Sequence, residues 1–297
     1  MSQVIERVPV VPRGLSLPVV VGHGLDEPLQ HVPPPGGALN QRSQFRYGCH
    51  APTLPDRPPP RDLPLSVSRA TLPEVRLLLF DIDGTLLVSG GAGRAAIAEA
   101  FVAEFSLAGL DDFQVDGRTD TGIFEEALMH AGIDPTPDAL ARMTAAYVAR
   151  LPDNIESHNG RILDGVIDLL DALEGSGAVV GLATGNVARG AEIKLRHYGL
   201  WDRFAGGGFG DVSSDRTEVL AAALEALAEE GGVDVAAATA IVIGDTPRDV
   251  SAGHAIGARV LAVATGNYDE AALRESGADF VLPDLRDTQA ALDILLG

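Results

Sequence analysis

The chain has 297 residues, of which 46% are hydrophobic and 22% are charged, and this balance is typical of a globular protein with a buried core. Its formal net charge of −20 argues against nucleic acid or an anionic membrane as a partner, because both are polyanions that require a basic surface. The single cysteine, Cys49, excludes an intrachain disulfide, and no apolar run reaches the roughly 18 residues of a membrane-spanning helix.

The N-terminal segment, residues 1–70, contains 13 of the 19 prolines, including triplets at 33–35 and 58–60. Clustered prolines remove backbone donors and oppose helices and sheets, so we predict a disordered leader here. A polyproline ligand for a partner domain is the alternative, although no flanking feature supports it. The first residues also lack the compact basic start of a signal peptide, and we therefore expect the chain in the cytoplasm.

The pattern changes at residue 75. The apolar run VRLLLF, residues 75–80, is typical of a strand buried on both faces. Three segments with helical periodicity follow without a strand-like run between them, namely GRAAIAEAFVAEFSL, TGIFEEALMHAG and TPDALARMTAAYVARL. Because these helices interrupt the alternation of strands and helices, we predict that residues 88–160 form a separate helical cap packed over the sheet.

Strands and helices alternate in the rest of the chain. Strands are predicted at AVVGLATGN, TAIVIGD, ARVLAVATG and DFVLPD, and FAGGGFG is a short strand or a loop. Helices are predicted between them, and ILDGVIDLLDALEGSG is predicted to be a helix before the first of these strands. This alternation implies right-handed crossovers and a parallel sheet with helices on both faces. The predicted fold class is therefore α/β, a three-layer doubly wound parallel sheet built from residues 75–87 and 161–297.

Polar residues at the carboxyl ends of the predicted strands are the candidates for a functional site, because ligands of such sheets bind there. Asp81 and Asp83 follow the first strand and, in an extended chain, face the same side. Asp245 and Asp249 follow a later strand. Four converging carboxylates repel one another unless a cation lies between them, and Mg²⁺ suits their oxygens. A solvated turn or helix cap is the alternative for Asp81 and Asp83.

The end of the strand AVVGLATGN offers a different chemistry. The Thr184 hydroxyl and the backbone N–H groups of Gly185 and Asn186 are expected to open a helix there, and helix N-termini bind anionic oxygens. A metal, a carboxylate able to act as a nucleophile, a second acid and an oxyanion-binding site in one pocket favour phosphoryl transfer.

Three motifs, FDIDGTLL, LATGN and IGDTPRDV, resemble the signature motifs of the haloacid dehalogenase superfamily, in its aspartate-nucleophile phosphatase branch. The resemblance covers about residues 75–285. It implies that Asp81 attacks phosphorus and forms an aspartyl-phosphate, and that Asp83 protonates the leaving oxygen and later activates water. It also implies that Thr184 holds the transferred phosphoryl group.

The same resemblance implies a metal site. An Mg²⁺ ion would be held by Asp245, with help from Asp81 and the backbone carbonyl of Asp83. Asp249 would bind the ion or one of its ligands. No other cofactor is implied.

The family also requires a cation beside the nucleophile, usually a lysine at the start of a later helix. This sequence offers Arg216 there, and arginine keeps its charge and can bind phosphate through two nitrogens. Lys194, the only lysine of the chain, is the alternative. It is expected more than about 10 Å from the start of its own helix, where an ion pair with Glu192 or a neighbour would account for it. We therefore favour Arg216.

The predicted cap contains the segment DGRTDTGIF, which places Arg118, Thr119 and Asp120 at a helix start. Arg118 could bind a carboxylate or a second phosphate of the substrate, whereas Thr119 or Asp120 could simply cap the helix. The cap resembles that of phosphoglycolate phosphatase-like members, which implies a small phosphorylated metabolite as substrate, either phosphoglycolate-like or a sugar phosphate. A sugar-phosphate mutase and a phosphate-binding pseudoenzyme are the alternative functions. The sequence does not indicate an oligomeric state.

Overall fold

The computed structural model describes residues 75–106 and 117–297, all of which belong to the unit Ser66–Gly297. The predicted leader, residues 1–70, lies outside the described residues, as does the segment 107–116. Within the described part, no helix combines the length and the apolar composition that crossing a bilayer requires.

A parallel sheet of six strands forms the centre of the structure. The described residues form eight strands, β1 Arg76–Phe80, β2 Leu87–Val88, β3 Arg161–Ile162, β4 Val179–Ala183, β5 Gly207–Gly208, β6 Thr239–Gly244, β7 Arg259–Val263 and β8 Phe280–Leu282, of which all but β2 and β3 belong to this sheet. The large sheet has the order β5-β4-β1-β6-β7-β8, and every pair in it is parallel. β1 and β6 are neighbours at the centre of the sheet. Because they are parallel, their carboxyl ends lie next to each other at the same edge.

Among the described residues, six helices cover the two faces of this sheet and three others pack around a separate cluster. They are α1 Ala92–Phe105, α2 Asp120–His130, α3 Pro137–Ser157, α4 Val166–Leu173, α5 Ala188–His197, α6 Arg216–Glu230, α7 Pro247–Ala255, α8 Glu270–Glu275 and α9 Thr288–Leu296. Along β1, Leu78 and Phe80 join a hydrophobic cluster with α4, α5 and α9, whereas Leu77 and Leu79 join a second cluster with α6, α7 and α8. Because successive side chains of a strand point to opposite faces of the sheet, they contribute to two separate cores. The predicted three-layer α/β fold is confirmed.

The helices α1, α2 and α3 pack around a third hydrophobic cluster. Its large buried members include Phe101, Phe124, Met143 and Tyr147, and the rings of Phe124 and Tyr147 meet edge to face at 5.7 Å. The two-stranded sheet β2-β3 pairs the chain where it leaves the main sheet with the chain where it returns. We propose that this three-helix group is the inserted cap.

Two parts of the prediction differ from the structure. The segment that begins at Ile162 was predicted to be helical from its first residue, but Ile162 pairs in β3 and α4 begins only at Val166. Gly165 makes the turn between them with φ 84°, and a side chain there would collide with the carbonyl of Leu285. The C-terminal helix α9 was not predicted, although it buries Ala291 and Leu295 against the sheet.

Candidate active site

Three aspartates lie together at the carboxyl ends of the two central strands. Asp81 directly follows β1, and its N–H donates to the carbonyl of Ile243 in β6 at 2.9 Å. Asp245 directly follows β6, and Asp249 lies in the first turn of α7. Each offers a carboxylate oxygen, these oxygens lie within 4.8 Å of one another, and all three residues are buried.

Neighbouring residues pack closely around the carboxylate of Asp245. The Thr85 hydroxyl donates to its Oδ1 at 3.4 Å, and a Cβ added at Gly84 or Gly266 would collide with its carboxylate. Gly84 also has φ 84°, so the turn of the DIDGT motif requires a glycine both for its backbone angle and for the space that the acid occupies.

Two of these acids, Asp81 and Asp245, bind a proton more readily than an ordinary aspartate. Burial raises the pKa of Asp81 to about 6, although Arg216 opposes the rise. Burial, followed by repulsion from Asp249 and Asp81, raises the pKa of Asp245 to about 9. A cation among the three would favour their ionised forms, and an all-carboxylate set of oxygen donors suits a hard divalent ion such as Mg²⁺.

Arg216, at the first position of α6, contacts two of these acids. Its Nη2 lies 2.9 Å from Asp81 Oδ1 and 2.6 Å from Asp249 Oδ1, and it donates to the carbonyl of Ala183 at 3.1 Å. The other Asp249 oxygen accepts from the N–H and the hydroxyl of Thr246. The guanidinium therefore stands beside the predicted nucleophile, as expected, but it reaches the acids through one nitrogen only.

Lys194 lies on the opposite side of the site. Its Nζ donates to Asp83 Oδ2 and to Asn186 Oδ1, each at 2.6 Å, and Asn186 Nδ2 donates to the same Asp83 oxygen at 2.8 Å. Only 4% of Lys194 is exposed. Burial lowers its pKa, but the surrounding carboxylates, Asp83 and Asp120 first among them, outweigh burial, and the net effect is a raised pKa. The lysine therefore carries its charge in the buried site.

The interpretation of Lys194 as a surface ion pair with Glu192 is wrong. Glu192 pairs with Arg189 at 2.6 Å and with Arg196 at 2.8 Å along the exposed face of α5. Side chains of a helix lean towards its N-terminus, and the long lysine stem reaches back along α5 to the residues that precede it. The distance from the Lys194 Cα to the start of α5 therefore did not predict the position of the Lys194 ammonium group.

The start of α5 also differs from the prediction. The helix begins at Ala188, and the N–H groups of Val187 and Ala188 are already bound by the carboxylates of Asp120, at 2.9 Å, and Asp211. Gly185 and Asn186 therefore precede the helix and do not open it. The backbone N–H of Asn186 donates to Thr184 Oγ1 at 3.3 Å, and what Asn186 brings to the site is its amide side chain.

Thr184 lies beneath Asn186. It is fully buried, and its hydroxyl accepts from Asn186 Nδ2 at 2.9 Å. Asn186 and Gly185 line the open space above the site, but Thr184 does not. Contact between Thr184 and a phosphoryl group thus stays a prediction, whereas its contact with Asn186 is direct.

A cavity of about 420 Å³ lies between the sheet edge and the α1–α3 group. Its charged and amide residues from the sheet edge and the following loops and helices are Asp81, Asp83, Asn186, Lys194, Arg216, Asp245 and Asn267. From α1–α3 and the residues just before α2 it is lined by Arg94, Ile97, Arg118, Asp120, Ile123 and Tyr147. The cavity therefore joins the carboxylate cluster to the helical group, and a small molecule would contact both.

Arg118 faces this cavity but has partners within α2. One of its nitrogens forms an ion pair with Glu126, and another donates to the carbonyl of Gly122 at 3.2 Å. Thr119 caps α2, because its hydroxyl accepts from the N–H of Gly122 at 3.1 Å. The capping alternative is thus confirmed for Thr119, while binding of a substrate anion by Arg118 stays a prediction.

The start of α2 is fastened to the loops at the carboxyl end of the sheet. The Asp120 N–H donates to the carbonyl of Gly185 at 2.7 Å, and the hydroxyls of Thr119 and Thr121 donate to the carbonyls of Ser214 and Gly210. Sequence reasoning missed this docking and also the position of Tyr147 in the cavity. No local signal could have found Tyr147, because an aromatic residue on a helix is usually part of the core.

A family model described as haloacid dehalogenase-like hydrolase matches residues 78–254. The chain is 27% identical to the N-acetylmuramic acid 6-phosphate phosphatase of Pseudomonas putida, over 75% of this chain and 98% of that protein. It is 30% identical to the phosphoglycolate phosphatase of Rhodospirillum rubrum, over 70% of this chain and 87% of that protein.

Solved structures share the same fold. CbbY from Rhodobacter sphaeroides, crystallised in complex with phosphate, aligns with a TM-score of 0.57 at 22% identity, over 74% of this chain and 99% of that chain. A hydrolase from Pseudomonas syringae aligns with a TM-score of 0.57 at 24% identity, with the same coverage.

Proposed function

Because the chain belongs to the haloacid dehalogenase-like hydrolase family, we propose that it is a magnesium-dependent phosphatase, which hydrolyses small phosphate monoesters through an aspartyl-phosphate on Asp81. The curated relatives support a phosphatase that acts on small phosphorylated metabolites. The observation that carries the proposal is the position of Asp81 in the cavity, beside two further buried acids and 2.9 Å from Arg216.

Asp81, Asp245 and Asp249 would hold the Mg²⁺ ion, together with the backbone carbonyl of Asp83 that the family resemblance suggests. When bound, the ion neutralises part of the negative charge of the carboxylates and of the phosphate oxygens. These three acids are buried close together, and a cation between them would offset the repulsion between their charges.

Asp81 would be the nucleophile. Arg216 fixes its Oδ1, so Oδ2 is the oxygen that would form the bond to phosphorus as the ester P–O bond breaks and its electron pair leaves with the alcohol oxygen. Asp83 would give that oxygen a proton and then take one from the water that attacks the aspartyl-phosphate, which releases phosphate and restores Asp81. Asp83 Oδ2 is bound by Lys194 and Asn186, so Oδ1 would carry the proton.

The test is phosphate release from p-nitrophenyl phosphate with Mg²⁺, for the wild-type protein and for Asp81→Asn. The asparagine keeps the shape of the side chain but is a poor nucleophile, so we expect a loss of at least about 1,000-fold in kcat. Circular dichroism and Tm check that the variant is folded. Equal rates in the two proteins would rule out Asp81 as the nucleophile, and no turnover by either would indicate a phosphate-binding pseudoenzyme.

The sugar-phosphate mutase that the sequence leaves open shares the phosphorylated aspartate but returns the phosphoryl group to a sugar hydroxyl. Incubation with hexose 1-phosphates separates the two functions, because a phosphatase releases free phosphate whereas a mutase gives the isomeric sugar phosphate. We expect free phosphate.

A further inference from the structure

Asp120 is a buried acid that the proposed reaction does not use. Only 8% of it is exposed, and it lines the cavity. Its Oδ2 accepts from the N–H of Val187 at 2.9 Å, whereas its Oδ1 accepts no hydrogen bond from the described residues. One oxygen therefore fastens α2 to the start of α5, and the other remains available as an acceptor for a molecule in the cavity.

Tyr147 is a second such group, on α3. It is 1% exposed and lines the cavity, and its hydroxyl makes no hydrogen bond with the described residues. Burial first, and then the negative charge of Asp120, raises the pKa of Tyr147 well above its ordinary value, so the phenol keeps its proton. A Cβ placed on Gly93 would lie 3.5 Å from Lys194 Nζ and 3.9 Å from the Tyr147 hydroxyl. The Tyr147 hydroxyl and the Lys194 ammonium group therefore both lie next to Gly93, on one side of the cavity.

These groups lie on the side of the site where the alcohol would leave. Lys194 binds Asp83, the proposed acid. Its charge also lowers the pKa of Asp120 and so opposes the effect of burial on that acid. Lys194 thus binds Asp83 directly and acts on Asp120 only through its charge, while the guanidinium groups of Arg94 and Arg118 line the same cavity. A leaving group that carried a carboxylate would add a third negative charge there, whereas a hydroxyl could donate to Asp120 Oδ1 and accept from Tyr147.

Resting on the phosphatase function above, we propose that Asp120 and Tyr147 bind a hydroxyl group of the leaving alcohol. The preferred substrates are then phosphate esters of polyols or sugars, and esters of small hydroxy acids are poor substrates. The contacts of Arg118 agree with this preference for a hydroxyl group over a carboxylate. Its guanidinium group is already bound by Glu126 and donates to the carbonyl of Gly122.

Three esters of nearly equal size test the proposal: 2-hydroxyethyl phosphate, ethyl phosphate and 2-phosphoglycolate. They differ only in the group attached to the CH2 that carries the ester oxygen, which is a hydroxymethyl, a methyl or a carboxylate group. For the wild-type protein we expect kcat/KM for the hydroxyethyl ester to exceed that for each of the other two by about 10- to 100-fold, the discrimination typical of a buried hydrogen bond to a charged group. A preference for phosphoglycolate would overturn the proposal.

Variants assign the preference to the two residues. Asp120→Asn keeps an oxygen for the Val187 N–H but turns the other group into a donor without charge, so we expect the ratio of hydroxyethyl phosphate to phosphoglycolate turnover to fall by about tenfold. Tyr147→Phe should lower kcat/KM for the hydroxyethyl ester and leave ethyl phosphate nearly unchanged. Thr121→Val is the control, because Thr121 docks α2 on Gly210 at 2.6 Å without lining the cavity, and the ratios should stay as in the wild type.

The outcomes separate the two levels of the proposal. If p-nitrophenyl phosphate and all three esters are left intact, the phosphatase function fails and the specificity fails with it. If p-nitrophenyl phosphate is hydrolysed but Asp120→Asn keeps the wild-type ratio, Asp120 only fastens α2 and the specificity alone is refuted.

Discussion

At the scale of single residues, the two buried cations serve different acids. Arg216 contacts Asp81 and Asp249, and Lys194 contacts Asp83 and Asn186. The sequence suggested one cation in a choice between two, but the structure places both in the cavity. One stands on the side of the proposed nucleophile and metal site, and the other on the side of the proposed acid.

The contacts of Arg216 suggest that a lysine could replace it. All its hydrogen bonds to Asp81, Asp249 and Ala183 come from Nη2, and its buried Nε has no hydrogen-bond partner among the described residues. A single ammonium group offers three donors, so a bidentate arginine is not required here. We expect Arg216→Lys to keep kcat/KM for p-nitrophenyl phosphate within about tenfold of the wild type, and Arg216→Met to lose about 100-fold or more. Equal losses would show that the planar guanidinium is needed.

Lys194 is expected to be essential for turnover. Lys194→Met keeps a long apolar stem but removes the charge bound to Asp83, and we expect kcat to fall by about 100-fold or more because the proposed acid and Asn186 lose their common partner. Glu192→Gln is the matched control, since Glu192 pairs with Arg189 and Arg196 on the exposed face of the same helix. Its kcat should match the wild type. A comparable loss in both variants would mean that Lys194 acts through the helix and not through the site.

At the scale of elements, the strands and most helices could be predicted because their signal is local. Short apolar runs such as RLLLF form strands buried on both faces, and each predicted strand is present, although β4, β7 and β8 are shorter than the predicted segments. The failures lie where a distant contact decides. Ile162 pairs with Leu87 in β2-β3, a contact between residues 75 positions apart in the chain. The start of α5 is likewise set by distant residues, because Asp120 and Asp211 accept from the N–H groups of Val187 and Ala188.

The docking of α2 on the sheet depends on Gly185. A methyl group on this residue would collide with the carbonyl of Arg118, and the N–H of Asp120 donates to the carbonyl of Gly185 itself. We expect Gly185→Ala to displace the start of α2 and to lower kcat/KM by about 10- to 100-fold, because closure over the site excludes water and positions the substrate.

The control for Gly185→Ala is the stability of the fold. The three hydrophobic clusters do not include Gly185, so Tm should fall by only a few degrees, a change of about 1 kcal/mol for a domain of this size. Activity equal to the wild type would show that α2 can move away without consequence for the site.

At the scale of the whole molecule, the buried acids link stability to pH and to metal. The pKa of Asp81 rises from 3.8 to about 6 and that of Asp245 from 3.8 to about 9 on folding, so between about pH 4 and 9 the folded protein binds protons that the unfolded chain does not. Stability contributed by these groups is therefore present at low pH and is lost as the pH rises. In the metal-free protein we expect Tm to fall by several degrees between pH 5.5 and pH 8.

Addition of Mg²⁺ should reverse this loss. The ion competes with protons for the same oxygens, so it should raise Tm more at pH 8 than at pH 5.5. Asp245→Asn is the control, because it removes the acid whose pKa is raised most, and its metal-free Tm should depend less on pH. A Tm that does not respond to Mg²⁺ at pH 8 would contradict a metal site at these three acids.

The sequence by itself determined the fold class and the acids of the site. Hydrophobic runs mark the strands, and in a parallel sheet the residue after each run must lie at the carboxyl edge, which was enough to bring Asp81 and Asp245 together. It also predicted a cation there, since several ionised carboxylates repel one another in a buried space.

Only the tertiary structure decided which residues complete the site. Lys194, Asp120 and Tyr147 come from three different helices, and nothing in the sequence indicates that their side chains meet in one cavity. Their place in the cavity follows from how the α1–α3 group packs on the sheet edge and from how far each side chain reaches, and neither is encoded in local spacing. Local patterns fix elements, whereas the chemistry of the leaving-group side depends on long-range packing.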